Sequence, residues 1–549
     1  MSLTNSKSRF LPGTIPPRIW VGTLIVVATM IWDCIRSSLY PLWGDESLTY
    51  YTVNQPSLLQ LIHFQRTTPV VLEPPSFELL AHIGGSLFHY SLISMRIVSI
   101  LSATLIQVCL YRIVKPLVGV RAALAAMVLV VALPVTIYWF MLRPYAFLMA
   151  MSVATFCCWQ QAAYGSRFRE LAMTGIAVSL GLAITCHFYG VLVLLPIIVG
   201  ELQRSYQTRK IDKGIWTALA LGACSIALDI PFWMATLPYK EHMPRDSGLG
   251  FRSIWIAYQV LLVPIDQFQF QFWPHPPRRM FVVSVLFTIA AIAMVYYSYQ
   301  RILSIEFGRY APVWTALATL TLVPFLCVLI AYYYTHTFTP RHCCECGLGA
   351  TALFAIALSG PLERLSARRM AVLAGLVLVD ITPPHLHLLP VGSTTTDIAA
   401  AYSIPPQIRS WLDLHPDQPI YADVDSCLAN SMFSDPKLFP RVRCIYSQER
   451  GIEYSHQQIT YLTEMALAHH TNFPIKFASY EEFRRHLPAM LLYNSYPWEE
   501  WIPDSLHDDG ASIQRIDNGP GDHFGGQFYV VTGPPITSLS QDHPNLVIP

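Results

Sequence analysis

Apolar stretches of spanning length recur along this 549-residue chain, at 19–39, 93–114, 118–138, 144–164, 171–186, 188–202, 214–237, 280–300, 311–334, 347–361 and 370–390. A helix needs about 20 residues to cross a bilayer. In hydrocarbon only a helix or a closed barrel satisfies its own backbone polar groups. The expected fold is therefore a polytopic α-helical membrane protein of about 11 spans. Only 13% of the residues are charged and 53% are apolar, whereas a soluble domain is about 25% charged.

Charge divides the chain in two. From Val391 onward there are 19 acidic residues against 9 Lys and Arg, while the preceding residues carry 16 against 27. We expect a membrane domain over 1–394, with a first outer loop at 40–92, and a water-exposed α/β domain over 395–549. Within the membrane part every second loop is basic: Lys7, Arg9 and Arg18; Arg112, Lys115 and Arg121; Arg167 and Arg169; Arg204, Arg209, Lys210 and Lys213; Arg301 and Arg309; Arg364, Arg368 and Arg369. Basic loops stay cytoplasmic. That places the N-terminus inside and the first loop and the tail outside. No small-residue cleavage site follows the first apolar run, which reads as an uncleaved helix. Segment 74–90 is too short and polar to span, and reads as an interfacial helix started by Pro74 and Pro75.

The tail suggests strands at 419–424, 441–446, 489–493 and 527–532. A helix opens at Ser455 with the capping pattern Ser455-x-x-Gln458. No glycine-rich phosphate loop is present, and nothing points to nucleic acid. Most of the twelve cysteines lie in apolar runs, where they pack as small hydrophobes. Cys427 and Cys444 are the two in the tail, and an oxidising compartment would allow them to bond. His342, Cys343, Cys344 and Cys346 form a dense group, but without the two-residue gaps and second ligand pair of a zinc site.

The acid pair Asp45–Glu46, just beyond the first span, is the foremost chemical candidate. At the boundary of a bilayer a carboxylate keeps its charge without burial in hydrocarbon, and it can act as a base on a substrate whose tail lies in lipid. Arg143 and Arg341 fall in predicted outer loops, against the usual bias of arginine, and a guanidinium matches phosphate bidentately. His187 breaks an apolar run with Tyr189 beside it, and is placed to contact a polar substrate or a metal ion, or to sit as a satisfied core residue.

Six motifs in order carry a resemblance: Gly44-Asp45-Glu46; Glu73-Pro74-Pro75-Ser76-Phe77; Ser94-Met95-Arg96-Ile97-Val98-Ser99; Arg143-Pro144-Tyr145-Ala146; Thr185-Cys186-His187-Phe188-Tyr189; and Pro340-Arg341-His342. Over about residues 15–390 the chain resembles the GT-C type polytopic glycosyltransferases, which include the protein O-mannosyltransferases and the lipid A aminoarabinose transferases. The resemblance implies transfer of a sugar, with inversion, from a polyprenyl-phosphate carrier to an unidentified acceptor at the outer face of a bacterial inner membrane. It implies Asp45 as base, Glu46 paired with an arginine for which Arg143 is the candidate, and Arg96 holding the first outer loop. Arg143, Tyr145, His187, Tyr189 and Arg341 would contact the donor. His342 and the cysteines after it depart from the family's usual aromatic. No cofactor is assigned, and a divalent metal is left open. The competing readings are a secondary transporter or lipid flippase, which would show repeats and charges within spans, and a non-catalytic scaffold.

Overall fold

The computed structural model describes residues 17–39, 42, 44–67, 73–88, 90–165, 167–237, 249–263, 278–304, 308–364, 410, 413–423, 439–454, 476–493, 501–516 and 527–534. The membrane part is helical. Helix α1 (Pro17–Leu39) is followed by three short helices, α2 (Gly44–Val53), α3 (Leu58–Thr67) and α4 (Ser76–Leu87). Then come α5 (Leu92–Val118), α6 (Val120–Val131), a 3-10 segment Pro134–Phe140, α7 (Tyr145–Tyr164) and α8 (Arg169–Cys186). A second 3-10 turn, Phe188–Val193, leads into α9 (Leu194–Thr208), α10 (Lys213–Ala223), α11 (Ile226–Thr236) and α12 (Phe251–Leu262). The rest are α13 (Arg278–Leu303), α14 (Ala311–Thr321), α15 (Val323–Ile330), a 3-10 turn Pro340–Cys343 and α16 (Cys346–Ala357).

Seven of these segments are long and apolar enough to cross a membrane, or up to nine if two bent pairs each count as one span. The chain is thus a multi-pass membrane protein, but the structure does not confirm eleven spans. Stretch 370–390 lies outside the described residues. Stretch 347–361 yields a 12-residue helix, α16, which is short of a span. The single helix expected over 118–138 bends by 77° between α6 and the segment starting at Pro134. The cause is local: proline has no N–H to donate and its ring clashes with the carbonyl one turn back. Pro324 lies at the start of α15, where α14 and α15 meet at 42°. A helix forms within the segment 74–90 as α4, and Pro75 occupies its N-cap. Gly119, at φ +94°, lets the chain reverse between α5 and α6.

Successive long helices run antiparallel, so alternate junctions share one end of the bundle. The end of α1, the start of α5, the entry to α7 and the end of α8 meet at one end. At the other, Arg169 pairs with Asp212 at 2.6 Å, Arg204 bridges Asp212 (3.1 Å) and Glu201 (2.6 Å), and Trp159 Nε1 donates to Glu201 at 2.9 Å. This network ties α7, α8, α9 and the start of α10. With α8 about 27 Å long at 1.5 Å per residue, it lies a bilayer's width from the first end. Buried charge therefore stands at both ends of the bundle, with Glu201 at this one.

The tail folds as a mixed sheet in the order β3-β2-β1-β4-β6-β5. Strands β1 (Ile420–Ala422), β2 (Val442–Tyr446), β3 (Lys476–Ser479) and β4 (Ala489–Tyr493) are parallel; β5 (Ser512–Arg515) and β6 (Gln527–Thr532) close one side antiparallel. Every residue of β4 is buried, as a central strand covered on both faces requires. Tyr421, Phe483, Leu491 and Trp501 share its core. The strands expected at 489–493 and 527–532 form as expected; β3 and β5 add to those foreseen. The boundary at 394/395, the helix from Ser455 and Cys427 of the expected Cys427–Cys444 bond lie outside the described residues.

Candidate functional site

The first described turn of α2 carries Asp45 and Glu46, and helical geometry sends neighbouring residues in different directions. Glu46 turns inward and is 1% exposed. Arg96, near the start of α5 and fully buried, grips it: Nη2 lies 2.8 Å from each carboxylate oxygen and Nε 3.0 Å from Oε1. Arg96 Nη1 also donates to the Ser37 carbonyl at 2.9 Å, and the Leu142 N–H donates to Glu46 Oε1 at 2.5 Å. One ion pair thus fastens α1, α2, α5 and the entry to α7 together. The partner of Glu46 is Arg96 and not Arg143. Glu46 is accordingly placed to position its neighbour rather than to touch a substrate.

Asp45 turns to the other side, with its side chain 31% exposed. Arg341 Nη1 stands 2.8 Å from Asp45 Oδ2, and Arg143 Nη2 is 4.0 Å from it. Burial would push the Asp45 carboxyl up, but Arg341 and then Arg143 outweigh it and hold it below the usual carboxylate value. Arg143 pairs instead with Glu73, at 2.9 Å from Oε1, and donates to Thr49 Oγ1 at 3.1 Å. Glu73 shifts the other way: burial dominates, Arg143 and Arg341 only partly offset it, and the carboxyl lies above its ordinary value.

Aromatic rings frame these charges. Arg143 and Arg341 lie over the Tyr145 ring at 5.5 and 5.9 Å from its centre. His187, at the C-cap of α8, is 5.7 Å from Tyr145 and 5.4 Å from His342, and Tyr189 stacks on His342 at 5.2 Å. The His187 Nδ1 accepts the Tyr189 N–H at 3.2 Å. The proton of the neutral ring therefore sits on Nε2, which is 4.0 Å from Glu73 Oε1. Burial, then Arg143 and Arg341, push the imidazole down to about 3. His187 is neutral at physiological pH.

Local packing fixes this corner. Ser76 Oγ donates to Thr185 Oγ1 at 2.6 Å, pinning α4 to the end of α8. A Cβ on Gly190 would lie 1.9 Å from the Ala183 carbonyl oxygen, which is backbone and cannot step aside. Gly190→Ala should therefore cost on the order of 1–3 kcal/mol, the usual range for overpacking, and displace His187. Thermal unfolding in detergent checks it, and an unchanged midpoint would refute the close approach.

Cys343 donates its S–H to the Pro340 carbonyl at 3.1 Å and Cys344 to that of Arg341 at 2.9 Å. These buried thiols stiffen the turn that carries Arg341. Among the described residues no group of three or more His, Cys, Asp and Glu side chains is placed to hold a metal ion.

The structure thus brings together Asp45, Arg143, Tyr145, His187, Tyr189 and Arg341, with Arg96 and Glu46 as the layer beneath. Sequence reasoning quoted Glu73 in a motif without a role. The signal was available, since a buried acid before Pro-Pro in the same outer loop is a natural partner for an outer arginine.

The chain is a polytopic helical bundle with paired acids and arginines at one end, and it is similar to the GT-C type polytopic glycosyltransferases. Residues 72–234, which carry Glu73, Arg96, Arg143 and His187, match the family model for dolichyl-phosphate-mannose-protein mannosyltransferases. Among curated proteins none matches the chain. Solved structures that align with it include the ArnT of Cupriavidus metallidurans bound to undecaprenyl phosphate, at 14% identity, covering 94% of this chain and 100% of that one, with a TM-score of 0.42. The oligosaccharyltransferase AglB of Archaeoglobus fulgidus, in complex with an inhibitory peptide and a dolichol-phosphate, aligns at 11% identity over 95% of this chain and 75% of its own, with a TM-score of 0.44. The Pmt1–Pmt2 O-mannosyltransferase complex of S. cerevisiae, bound to its sugar donor, aligns at 14% identity over 44% and 36%, with a TM-score of 0.28.

Proposed function

We propose that this protein transfers a glycosyl unit from a polyprenyl-phosphate carrier to a hydroxyl or amine acceptor at the outer face of a bacterial inner membrane. The observation that carries the reading is Asp45 held between Arg341 and Arg143 at one end of the bundle. A carboxylate flanked by two guanidiniums supplies what the reaction needs: a base for the acceptor proton and preorganised positive charge for a departing phosphate.

The arriving carrier phosphate takes the two guanidiniums as partners. That loosens their hold on Asp45, whose basicity rises as the stabilising charges turn away. Asp45 then accepts the acceptor's proton, and the acceptor's lone pair forms a bond to the anomeric carbon from the face opposite the phosphate. The carbon–oxygen bond to phosphate breaks, and its electron pair leaves on the carrier phosphate. Neutral His187 and the Tyr145 ring shape the wall beside it. The membrane domain and the sheet domain would divide near residue 394, with the tail on the same side as the site.

Incubation of purified protein with a panel of polyprenyl-phosphate sugars tests the reading, and release of free carrier phosphate is the positive result. If no member of the panel is bound or cleaved, the reading fails. The two acids also predict separate pH limbs. Asp45 is held low, so the base stays ionised below the ordinary carboxylate range near pH 4. Glu73 is held high, so in kcat/KM, which reports the free enzyme, an acid limb above that range belongs to Glu73 and should disappear in Glu73→Gln. A limb that persists in this variant would contradict the assignment. For topology, a cysteine-free variant carrying Gln514→Cys, exposed on β5, should react with a membrane-impermeant thiol reagent in intact spheroplasts. Labelling only after lysis would put the site end on the cytoplasmic side.

A further inference from the structure

Beside the charged cluster, Glu73 Oε2, both carboxyl oxygens of Glu78 and the Nε2 and Oε1 of Gln65 are buried without a well-formed hydrogen bond, although Gln65 lies within hydrogen-bonding reach of Glu78. Glu78 is fully buried and Gln65 is 5% exposed. The Gln65 amide faces the Glu78 carboxyl, and the charges of Glu73 and Arg143 reach it. Each orphaned polar group costs about 1–3 kcal/mol. A purely structural role at these positions on α3 and α4 would be filled more cheaply by Leu or Met. Glu78 lies in the first turn of α4, where a carboxylate is favoured by the helix dipole. That accounts for an acid there, but not for a buried carboxamide set against it from another helix.

We propose that Gln65 and Glu78 form a sugar-recognition subsite that binds hydroxyl groups of the transferred glycosyl unit. The inference rests on the transferase reading and extends it to substrate selection. Glu73 links the two groups: its Oε1 takes Arg143, its Oε2 is left over, and its charge reaches Glu78. A glycosyl unit is bonded directly to its phosphate, so its ring hydroxyls fall beside the guanidiniums, where these groups stand. The chemistry selects a neutral ligand. A carboxamide offers two donors and an acceptor without charge. Burial, and then Glu73, push the Glu78 carboxyl up to about 8, so near neutrality it is mostly an uncharged acid that donates as well as accepts. Such a pair matches a polyol and gives no net attraction to a phosphate or an ammonium group. Sites built to hydrogen-bond a hydroxyl reject analogues lacking it, because their own polar groups are then left unpaired.

The experiment compares two probes on the full-length protein: polyprenyl phosphate itself, and the same carrier bearing mannose, glucose or arabinose. Gln65→Leu and Glu78→Met should bind the bare carrier within about twofold of wild type. Both should weaken the preferred glycosylated carrier by about tenfold, the loss of one to two hydrogen bonds, and should flatten the preference among the three sugars. Glu78→Met is close in size and keeps the test open if Gln65→Leu does not fold. An unchanged ratio of glycosylated to bare carrier affinity in both variants overturns the subsite, even if their melting points move. A wild-type protein that binds bare carrier but gains nothing from any sugar also overturns it, while leaving the phosphate assignment standing. If wild type binds neither probe, the transferase reading falls and the subsite falls with it.

Discussion

Asp45→Asn is expected to lower turnover by about 10²–10⁴-fold, the usual contribution of a positioned general base. The amide keeps the size of the side chain but cannot accept a proton at working pH. The geometry adds a second, opposite expectation. Asp45 lies 2.8 Å from Arg341 and on the proposed mechanism competes with the incoming phosphate for it, so neutralising Asp45 removes that competitor. Carrier binding should be as tight as in wild type or tighter. Arg341→Ala and Arg143→Ala should behave differently, losing both carrier affinity and rate, because they face charge that grows on the leaving oxygen. Arg→Lys at either position should recover only part of the activity, since the charge returns without the planar fork. Single-turnover rates and carrier affinities for wild type and these five variants separate these effects. Near-normal turnover in Asp45→Asn removes Asp45 from the mechanism. Wild-type binding and rate in Arg143→Ala would reduce that residue to an anchor.

The second large effect lies one layer deeper. Breaking the Arg96–Glu46 pair from one side, by Glu46→Gln or Arg96→Met, should destabilise the protein by about 3–5 kcal/mol, because it strands a buried charge. The double variant Arg96→Met with Glu46→Leu should regain much of that loss, since no charge is then left buried; the Leu142 N–H, deprived of its acceptor, keeps a residual cost of about 1–3 kcal/mol. By contrast, Glu46→Gln and Arg143→Ala share no contact and their stability effects should add within about 0.5 kcal/mol. Thermal unfolding of the singles and doubles measures both cycles. Coupling of Glu46 to Arg143 rather than to Arg96 would contradict the pairing seen here.

That pairing shows where sequence reading stops. The acid pair, the outer arginines and His187 were legible because charges next to apolar runs are costly and stand out. Which arginine meets which acid was not. Residues 45 and 46 are adjacent, yet the rotation of α2 sends one to Arg96 and the other to Arg341, and no spacing in the sequence reports that rotation. The bend at Pro134 was readable from the proline alone, but the unbroken apolar run around it favoured one straight helix. In the tail, Ala489–Tyr493 announced itself as a continuous apolar run. Ser512–Arg515 did not, because an edge strand with exposed polar side chains lacks the alternation that marks a half-buried one. Gln65 and Glu78 gave no signal at all: their burial is a property of the packing of α3 and α4, and on paper they look like any polar residues in a loop.

The 77° turn before Pro134 has a consequence for tolerance to change. The seven residues that follow run across the bundle instead of along it, and at their far end Leu142 and Arg143 address two different acids from consecutive positions. Such a segment behaves as a ruler. One residue added or removed between Leu133 and Arg143 would shift the amide of 142 and the guanidinium of 143 together, unlatching Glu46 and Glu73 in a single step. Side chains along this stretch can be exchanged for others of similar shape, but its length cannot drift.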